Sequence, residues 1–334
     1  MKILKYCAIV VIGIVAAAQS GLADPLEGEV LKFRQRPMIA TPIAGQTYYG
    51  HDEDSTAYGS HDSGQYSGWF MADDFADKVN TPVVHLKWWG SYMDAQSGQA
   101  GVQKFLVAFE SDVPDPGDPH NPQDGFSHPG TKLLAQVVDR GPLAPASGTF
   151  TEKPVTGSSP TEPVYEYNAE LHCPFPQEAT KVHWLKIVAL VDQSRDGNIV
   201  WGWHNRDYTI FDPFAAGPPV PFPGEHDDRP IIDPGYPTNV WHFQDDSVMG
   251  NLGVQVLAQC DVNITQTAFE PQFYVNGVDG PGPQTLPPPH NGIGQFSKDL
   301  AFELYTPIPE PATLTLLGAG VLGLFGYFRR QRTN

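Results

Sequence analysis

Carboxylates and imidazoles are the groups of this sequence that could carry out acid–base or metal chemistry. Adjacent acid pairs and histidines recur along the chain: Asp73-Asp74, Asp227-Asp228, Asp245-Asp246, His85, His183, His204, His226 and His242. Hydrolysis needs such groups in a fixed arrangement beside a nucleophile or a metal. The sequence contains no Gly-x-Ser-x-Gly elbow, no His-Glu-x-x-His pair and no phosphate-binding glycine loop. Two adjacent aspartates on a strand also point to opposite faces. We therefore expect no catalytic residues and no enzymatic activity.

Oxygen-bearing side chains in the segment VDQSRDGNIV could bind calcium. Asp192, Asp196 and Asn198 lie two to four residues apart around Gly197. Calcium takes roughly six to eight oxygen ligands, often from loops of this kind. The spacing lacks the closing Glu of an EF-hand, and Asp-Gly-Asn after a strand is equally typical of a hairpin turn. We therefore expect no cofactor: a simple turn is the favoured interpretation, and a structural calcium ion at these residues is the alternative.

Tryptophans could bind sugars, because an indole ring stacks on the apolar face of a pyranose. In the segment VWGWH, Trp201 and Trp203 share one strand face, whereas Trp88 and Trp89 point to opposite faces. Trp201 and Trp203 are therefore the candidate glycan-stacking residues. Aromatic residues are also strand formers that fill the interior of β-sandwiches, so core packing is the favoured alternative for both.

Two cysteines, Cys173 and Cys260, follow the N-terminal apolar segment that contains Cys7. In an exported protein such a pair is a candidate disulfide. The sequence does not show whether the two sulfurs come within bonding distance.

Short apolar runs with period-two alternation predict the secondary structure of the central region. The strand candidates are residues 83–89, 104–109, 132–138, 182–191, 199–204, 253–258 and 300–305. Gly-rich and Pro-rich connections separate them, and no long segment has helical periodicity. The fold class is therefore all-β, as a single antiparallel β-sandwich of jelly-roll or Greek-key type. We expect it to occupy residues 24–306, with an arm at its N-terminal end.

The N-terminal end has the layout of a secretory signal peptide. Lys2 and Lys5 precede an apolar run over residues 7–18, and the small-residue stretch Gly21-Leu22-Ala23 follows. That run is too short for a bilayer core of roughly 30 Å. Residues 1–23 are therefore expected to engage the secretion translocon and to be removed.

A second apolar segment, residues 312–328, stands before the basic tail 329–334. Its length is at the lower limit for a spanning helix. Cationic residues stay on the cytoplasmic side, so everything before the segment should face outward. This arrangement predicts transient anchoring in the inner membrane.

The triplet Pro309-Glu310-Pro311, the glycine-rich apolar segment and the tail with Arg329 and Arg330 together resemble the PEP-CTERM sorting signal. The resemblance implies recognition by an exosortase, a membrane-embedded cysteine peptidase, over a sorting segment of residues 307–334. It also implies delivery to the cell surface or the extracellular space, commonly in bacteria that make exopolysaccharide. The alternative is an ordinary C-terminal membrane anchor.

The central region resembles an uncharacterised β domain that recurs in exported bacterial proteins. The resemblance rests on the segments ADDF (72–75), LKWWGSY (86–92), VWGWHNR (200–206), WHFQDDSV (241–248) and DLAFELY (299–305). It implies a β fold and export, and it transfers no active site.

The formal net charge is −18, which disfavours nucleic acid as a partner. We therefore expect a non-catalytic surface or extracellular-matrix-associated protein with a structural or binding role in an exopolysaccharide or envelope context. The alternative is a carbohydrate-binding or carbohydrate-active module.

Overall fold

The computed structural model describes residues 26–43, 46–77, 80–93, 101–113, 127–159, 163–179, 181–207, 227–232, 240–243, 247–271, 273–275, 295–297 and 299–308. The expected signal peptide and the sorting motif with its apolar segment and basic tail lie outside these ranges. Within the described ranges no helix combines the length and the apolar character that crossing a bilayer requires.

Strands make up almost all of the regular structure in the described residues. They are β1 (Glu29–Gln35), β2 (Thr41–Ile43), β3 (Gln46–Tyr48), β4 (Asp52–Asp54), β5 (Thr56–Ser60), β6 (Gln65–Phe75), β7 (Val83–Tyr92), β8 (Lys104–Val113), β9 (His128–Arg140), β10 (Thr149–Pro154), β11 (Val164–Phe175), β12 (His183–Asp192), β13 (Trp201–His204), β14 (Asp227–Ile232), β15 (Val240–Phe243), β16 (Val248–Ala258), β17 (Asp261–Pro271), β18 (Phe273–Val275), β19 (Gln295–Ser297) and β20 (Phe302–Pro307). The helix α1 (Gln193–Asp196) is a single turn.

One sheet contains fourteen of these strands. Its main path runs β1-β20-β7-β11-β10-β9-β8-β12-β5-β6-β16-β17, and β13 joins β7 to β4 beside that path. Pairing among its described strands is antiparallel except between β9 and β10 and between β5 and β12. The short pairs β2–β3, β14–β15 and β18–β19 are separate. The all-β, mostly antiparallel prediction is confirmed, and fourteen of the described strands belong to one continuous sheet.

The sheet folds back on itself around an aromatic core. Side chains from the layer β1-β20-β7-β11 meet side chains from β6, β8 and β12 in one buried cluster. Trp88 of β7 contacts Phe105 of β8 edge to face, with ring centroids 5.1 Å apart. At the other end of the core, Phe302 of β20 meets Phe75 of β6 at 6.2 Å. Aromatic pairs in this geometry stabilise a core beyond their area burial.

The candidate glycan-stacking tryptophans lie inside this core. Trp201 and Trp203 have no exposed surface, and their indole nitrogens donate to the Tyr167 hydroxyl and to the Ala301 carbonyl, both at 3.0 Å. Gly90 makes room for the first ring, because a Cβ there would lie 2.4 Å from its Cζ2 atom. The prediction that Trp201 and Trp203 stack on a glycan is therefore wrong, and core packing accounts for both rings.

The far end of the sheet closes over a second core. The hairpin β16–β17 curls back to β9, where the Val137 amide donates to the Gln259 carbonyl at 2.8 Å. A second buried cluster fills the space between this hairpin and strands β6, β8, β9 and β12. Cys173, near the end of β11, is joined to Cys260, in the turn of the hairpin, by a disulfide. The bond therefore fixes the hairpin tip to the neighbouring layer.

The buried position of Trp201 gives a stability prediction. Trp201→Ala should lower the free energy of unfolding by about 3–5 kcal/mol, because the substitution opens a cavity in the core and leaves the Tyr167 hydroxyl without its donor. Denaturant unfolding followed by circular dichroism measures the change. Leu133→Ala is the control, since Leu133 is 49% exposed, and it should change stability by about 0.5 kcal/mol at most. Equal effects of the two substitutions would contradict the assignment of Trp201 to the core.

Candidate functional site

The oxygens of the calcium candidate hold a turn together. Asp192 is the N-cap of α1, and its Oδ1 accepts from the Ser194 amide at 3.0 Å and from the Ser194 hydroxyl at 2.6 Å. Its Oδ2 accepts from the His61 amide at 3.0 Å. These donors, with the Ser194 hydroxyl as the largest contribution, lower the pKa of Asp192 to about 2.

The other two predicted ligands also have protein partners. Asp196 accepts from the Arg195 guanidinium at 2.6 Å and from the Asp192 amide at 3.1 Å. Asn198 accepts from the Gln193 side-chain amide at 3.2 Å. The turn is thus stable through its own hydrogen bonds, and calcium binding at Asp192, Asp196 and Asn198 stays a prediction.

The acid pair Asp73-Asp74 joins two distant parts of the chain. Asp73 on β6 is fully buried, and its Oδ2 accepts from the Leu300 amide at 2.7 Å. Burial, and then the nearby Asp299 carboxylate, raise the pKa of Asp73 well above its usual range. Asp299 itself pairs with the Arg206 guanidinium at 2.7 Å. These groups fix the start of β20 against β6, which is a structural role.

A layer of charged and polar side chains covers the outer face of β1, β20, β7 and β11. Strand register aligns Arg34, Glu303, Lys87 and Asn168 in one row and Tyr305, His85 and Glu170 in the next. We call these seven residues, with Glu29 and Glu166, the charged layer. Apart from the partly exposed Glu29, they are buried, and buried charges require partners.

His85 is the centre of the charged layer. Its Nδ1 lies 2.7 Å from a Glu29 oxygen and 3.1 Å from a Glu170 oxygen, and its Nε2 bonds to the Asn168 side-chain oxygen. The Tyr305 ring packs against the imidazole with centroids 4.9 Å apart. Burial alone would lower the pKa of His85, but the two glutamates outweigh that effect and raise the pKa to about 9. The ring is therefore an imidazolium at neutral pH.

Glu29, His85 and Glu170 also form one of two sets of metal-ligand side chains that converge in the described residues. Their ligand atoms lie within 4.8 Å of one another. The second set contains Cys173 and Cys260, whose sulfurs are used in the disulfide. A metal at the first set would have to displace the proton on His85 Nδ1, which both glutamates stabilise. The geometry thus fits an ion pair better than a metal centre.

Part of the outer face of β6, β16 and β17 has a different character: three of its cross-strand rows carry uncharged side chains that are open to solvent. We call this set the neutral face; it consists of Trp69, Asn251 and Thr267 in the first row, Ser67, Gly253 and Thr265 in the second, and Gln65, Gln255 and Asn263 in the third.

Trp69 is the large aromatic residue of the neutral face, and 43% of its surface is exposed. At Gly253 the Thr265 hydroxyl lies over the backbone, 2.5 Å from where a Cβ would stand, so hydroxyl and amide groups occupy the middle of the face. Few hydrogen bonds within the face use these groups: Asn263 donates to Gln255 at 3.3 Å, and Thr265 donates to the Gly253 carbonyl at 3.4 Å. An exposed indole beside uncharged donors and acceptors is the combination that recognises a sugar.

Trp69 was not among the residues predicted to bind a ligand, although the sequence does contain a signal for the neutral face. Polar residues alternate with apolar or small residues in QYS and NLGVQ, as they do in strands with one solvated face, and polar residues dominate NITQT. The register that places the three polar sets side by side depends on pairing between strands far apart in the sequence. Trp201 and Trp203, the tryptophans that were predicted to bind sugars, belong to the core instead.

Comparison with known proteins identifies two families. The model of the Domain of unknown function (DUF7901) matches residues 31–245, and the model of the PEP-CTERM protein-sorting motif matches residues 307–331. Both resemblances predicted from the sequence are thereby confirmed. No curated protein and no solved structure matches the chain.

The charged layer predicts a pH dependence of stability. Because the pKa of His85 is about 9 in the folded chain and 6.5 in an unfolded one, the folded state holds the extra proton between those values. Its contribution, on the order of 3 kcal/mol, is complete below pH 6.5 and is lost as the pH rises through 9. Urea unfolding at pH 6 and at pH 9.5 measures this loss.

The variant His85→Gln should be less stable at pH 6 and should show a smaller fall between the two pH values. His61→Gln, at an exposed histidine, should follow the wild-type profile. If His85→Gln keeps the full wild-type fall in stability, the charged layer does not have the protonation state described here.

Proposed function

We propose that this chain, which belongs to the DUF7901 family, is a non-catalytic surface or matrix-associated protein that binds extracellular polysaccharide through the neutral face. The PEP-CTERM motif identifies it as an exported protein sorted by an exosortase. The observation that carries the binding proposal is the exposed Trp69 ring among uncharged hydroxyl and amide groups.

The chemistry of the neutral face supports a sugar as the ligand. The exposed indole can cover the C–H face of a pyranose, which removes apolar surface of both partners from water. Asn251 lies beside Trp69 in register, and Thr267 lies next to Asn251 on the following strand, where both can hydrogen-bond to sugar hydroxyls. A surface formed by three adjacent strands suits an extended chain of sugars better than a small molecule, for which a concave pocket is typical.

The net charge of the chain and the uncharged residues of the neutral face support a neutral polysaccharide as the ligand. The chain has a formal net charge of −18, so its field repels uronate-rich or phosphorylated polymers. None of the nine residues of the neutral face is ionisable, and no ion pairing with an anionic sugar is available there. We therefore assign a neutral hexose polymer as the ligand class.

The absence of carboxyl groups among the nine residues of the neutral face supports binding without hydrolysis. Glycosidases place two carboxyl groups on either side of the scissile bond. The neutral face contributes no carboxyl group, whereas the acid pair Asp73-Asp74 is buried on β6. The proposal is therefore a binding protein of the extracellular matrix rather than a carbohydrate-active enzyme.

Binding of the full-length protein, purified in detergent, to an array of neutral and acidic polysaccharides tests the proposal. Saturable binding to neutral glucans, mannans or galactans is expected. Trp69→Ala should weaken it about tenfold, which corresponds to about 1.4 kcal/mol, because the stacking surface is removed. Trp69→Phe should retain part of the affinity.

Leu133→Ala is the matched control, since it removes an exposed apolar side chain from β9, outside the neutral face. Its affinity should equal that of the wild type. A flat response to all polysaccharides, or equal binding by Trp69→Ala and the wild type, would refute the proposal.

A further inference from the structure

Lys186 lies where a lysine is rarely found. It stands in the middle of β12 with no exposed surface, between Trp184 and Val188 on the face that belongs to the second core. Its Nζ lies 3.9 Å from the centre of the Phe70 ring. Burial lowers the pKa of this amine, and the neighbouring Glu110 partly opposes the effect. The environment therefore favours the neutral, nucleophilic form of the amine more than water does.

Two side chains from other strands meet this amine. Its Nζ donates to Glu110 Oε1 of β8 at 2.9 Å and to the side-chain carbonyl oxygen of Gln266 of β17. β8 is the neighbour of β12 in the sheet, but β17 is the last strand of the sheet path. The contact with Gln266 thus crosses the second core.

Glu110 links the amine and the amide. Its Oε1 faces Lys186 Nζ, and its Oε2 accepts from Gln266 Nε2 at 3.0 Å. The same Nε2 donates to the Gly130 carbonyl at 3.2 Å. One carboxylate therefore touches both the attacking nitrogen and the leaving nitrogen of an amide exchange, which is the arrangement that general acid–base catalysis requires.

We propose that Lys186 and Gln266 form an intramolecular isopeptide bond in the folded protein, with Glu110 as the proton carrier. Glu110 takes a proton from the Lys186 ammonium, and the neutral Nζ attacks Cδ of Gln266. The bond from Cδ to Nε2 then breaks, and the carboxyl group returns protons to the leaving nitrogen. The lysine ammonium and the glutamine amide are converted into one secondary amide and one ammonium ion, without an oxidant or a co-reactant.

The fold keeps the three groups together long enough for a slow reaction. They are positioned by strands that pack around the same core, so the amine and the amide are already in contact and no translational entropy has to be lost. The bond would close a loop of 80 residues and would tie β12 to the hairpin β16–β17. The disulfide fixes the tip of the same hairpin, so the two links would hold it at separate places.

Mass spectrometry of the intact wild-type protein tests the proposal. The purified protein should be lighter than its sequence mass, after allowance for the disulfide and any processing of the termini, by the mass of one ammonia molecule. After reduction and protease digestion, a branched peptide should link the segment around Lys186 to the segment around Gln266. A wild-type protein that yields only the two linear peptides would overturn the proposal.

Variants separate the chemistry from packing. Glu110→Gln keeps the shape of the carboxyl group but cannot carry the proton, and Lys186→Met keeps the length of the side chain without the amine; both should yield only linear peptides. Lys132→Met is the control, because Lys132 also contacts the hairpin: its Nζ donates to the Val262 carbonyl at 2.7 Å. This variant should still yield the branched peptide. A branched peptide in Glu110→Gln at the wild-type yield would refute the role of Glu110. The mass readout is independent of polysaccharide binding.

Discussion

Strand β12 lies inside the molecule along its whole length, with all ten residues buried. Leu185 and Ile187 face the first core, whereas Trp184 and Val188 face the second. A sheet can cover both faces of an inner strand only if its two ends fold back on opposite sides. The layer β1-β20-β7-β11 covers one side, and the hairpin β16–β17 covers the other. The single continuous sheet therefore encloses two cores, one on each side of β12. The disulfide then holds the hairpin tip in place.

Burial of this extent brings polar groups inside, and each must find a partner there. The charged layer does so with His85 held between Glu29 and Glu170, and the second core does so with Lys186 beside Glu110. Because inward positions serve the cores, the side chains presented to solvent on β6, β16 and β17 come from the alternate positions. The neutral face is therefore a consequence of strand alternation, with the ring of Trp69 left in solvent.

Local patterns of the sequence predicted the all-β class and several strands, because the period of side-chain exposure is a property of the strand itself, but the long strands β6 and β11 were not among the candidates. The run predicted at residues 182–191 corresponds to β12, and the one predicted at 83–89 lies within β7. The same reasoning placed Trp201 and Trp203 on one face. It did not show which side of the sheet is covered, since that depends on the layer that packs against it. The glycan assignment of those rings was wrong for this reason.

The order of residues at the chain's end was enough to identify the PEP-CTERM motif, because sorting signals are read from contiguous residues and their apolarity. All-β architecture and the acidic character likewise follow from composition and periodicity. Contacts between distant segments came only from the folded chain: Lys186 is 76 residues from Glu110 and 80 from Gln266. Register between strands far apart in sequence is set by how whole layers pack, and no local pattern encodes it. The neutral face and the Lys186–Glu110–Gln266 contact both depend on that register.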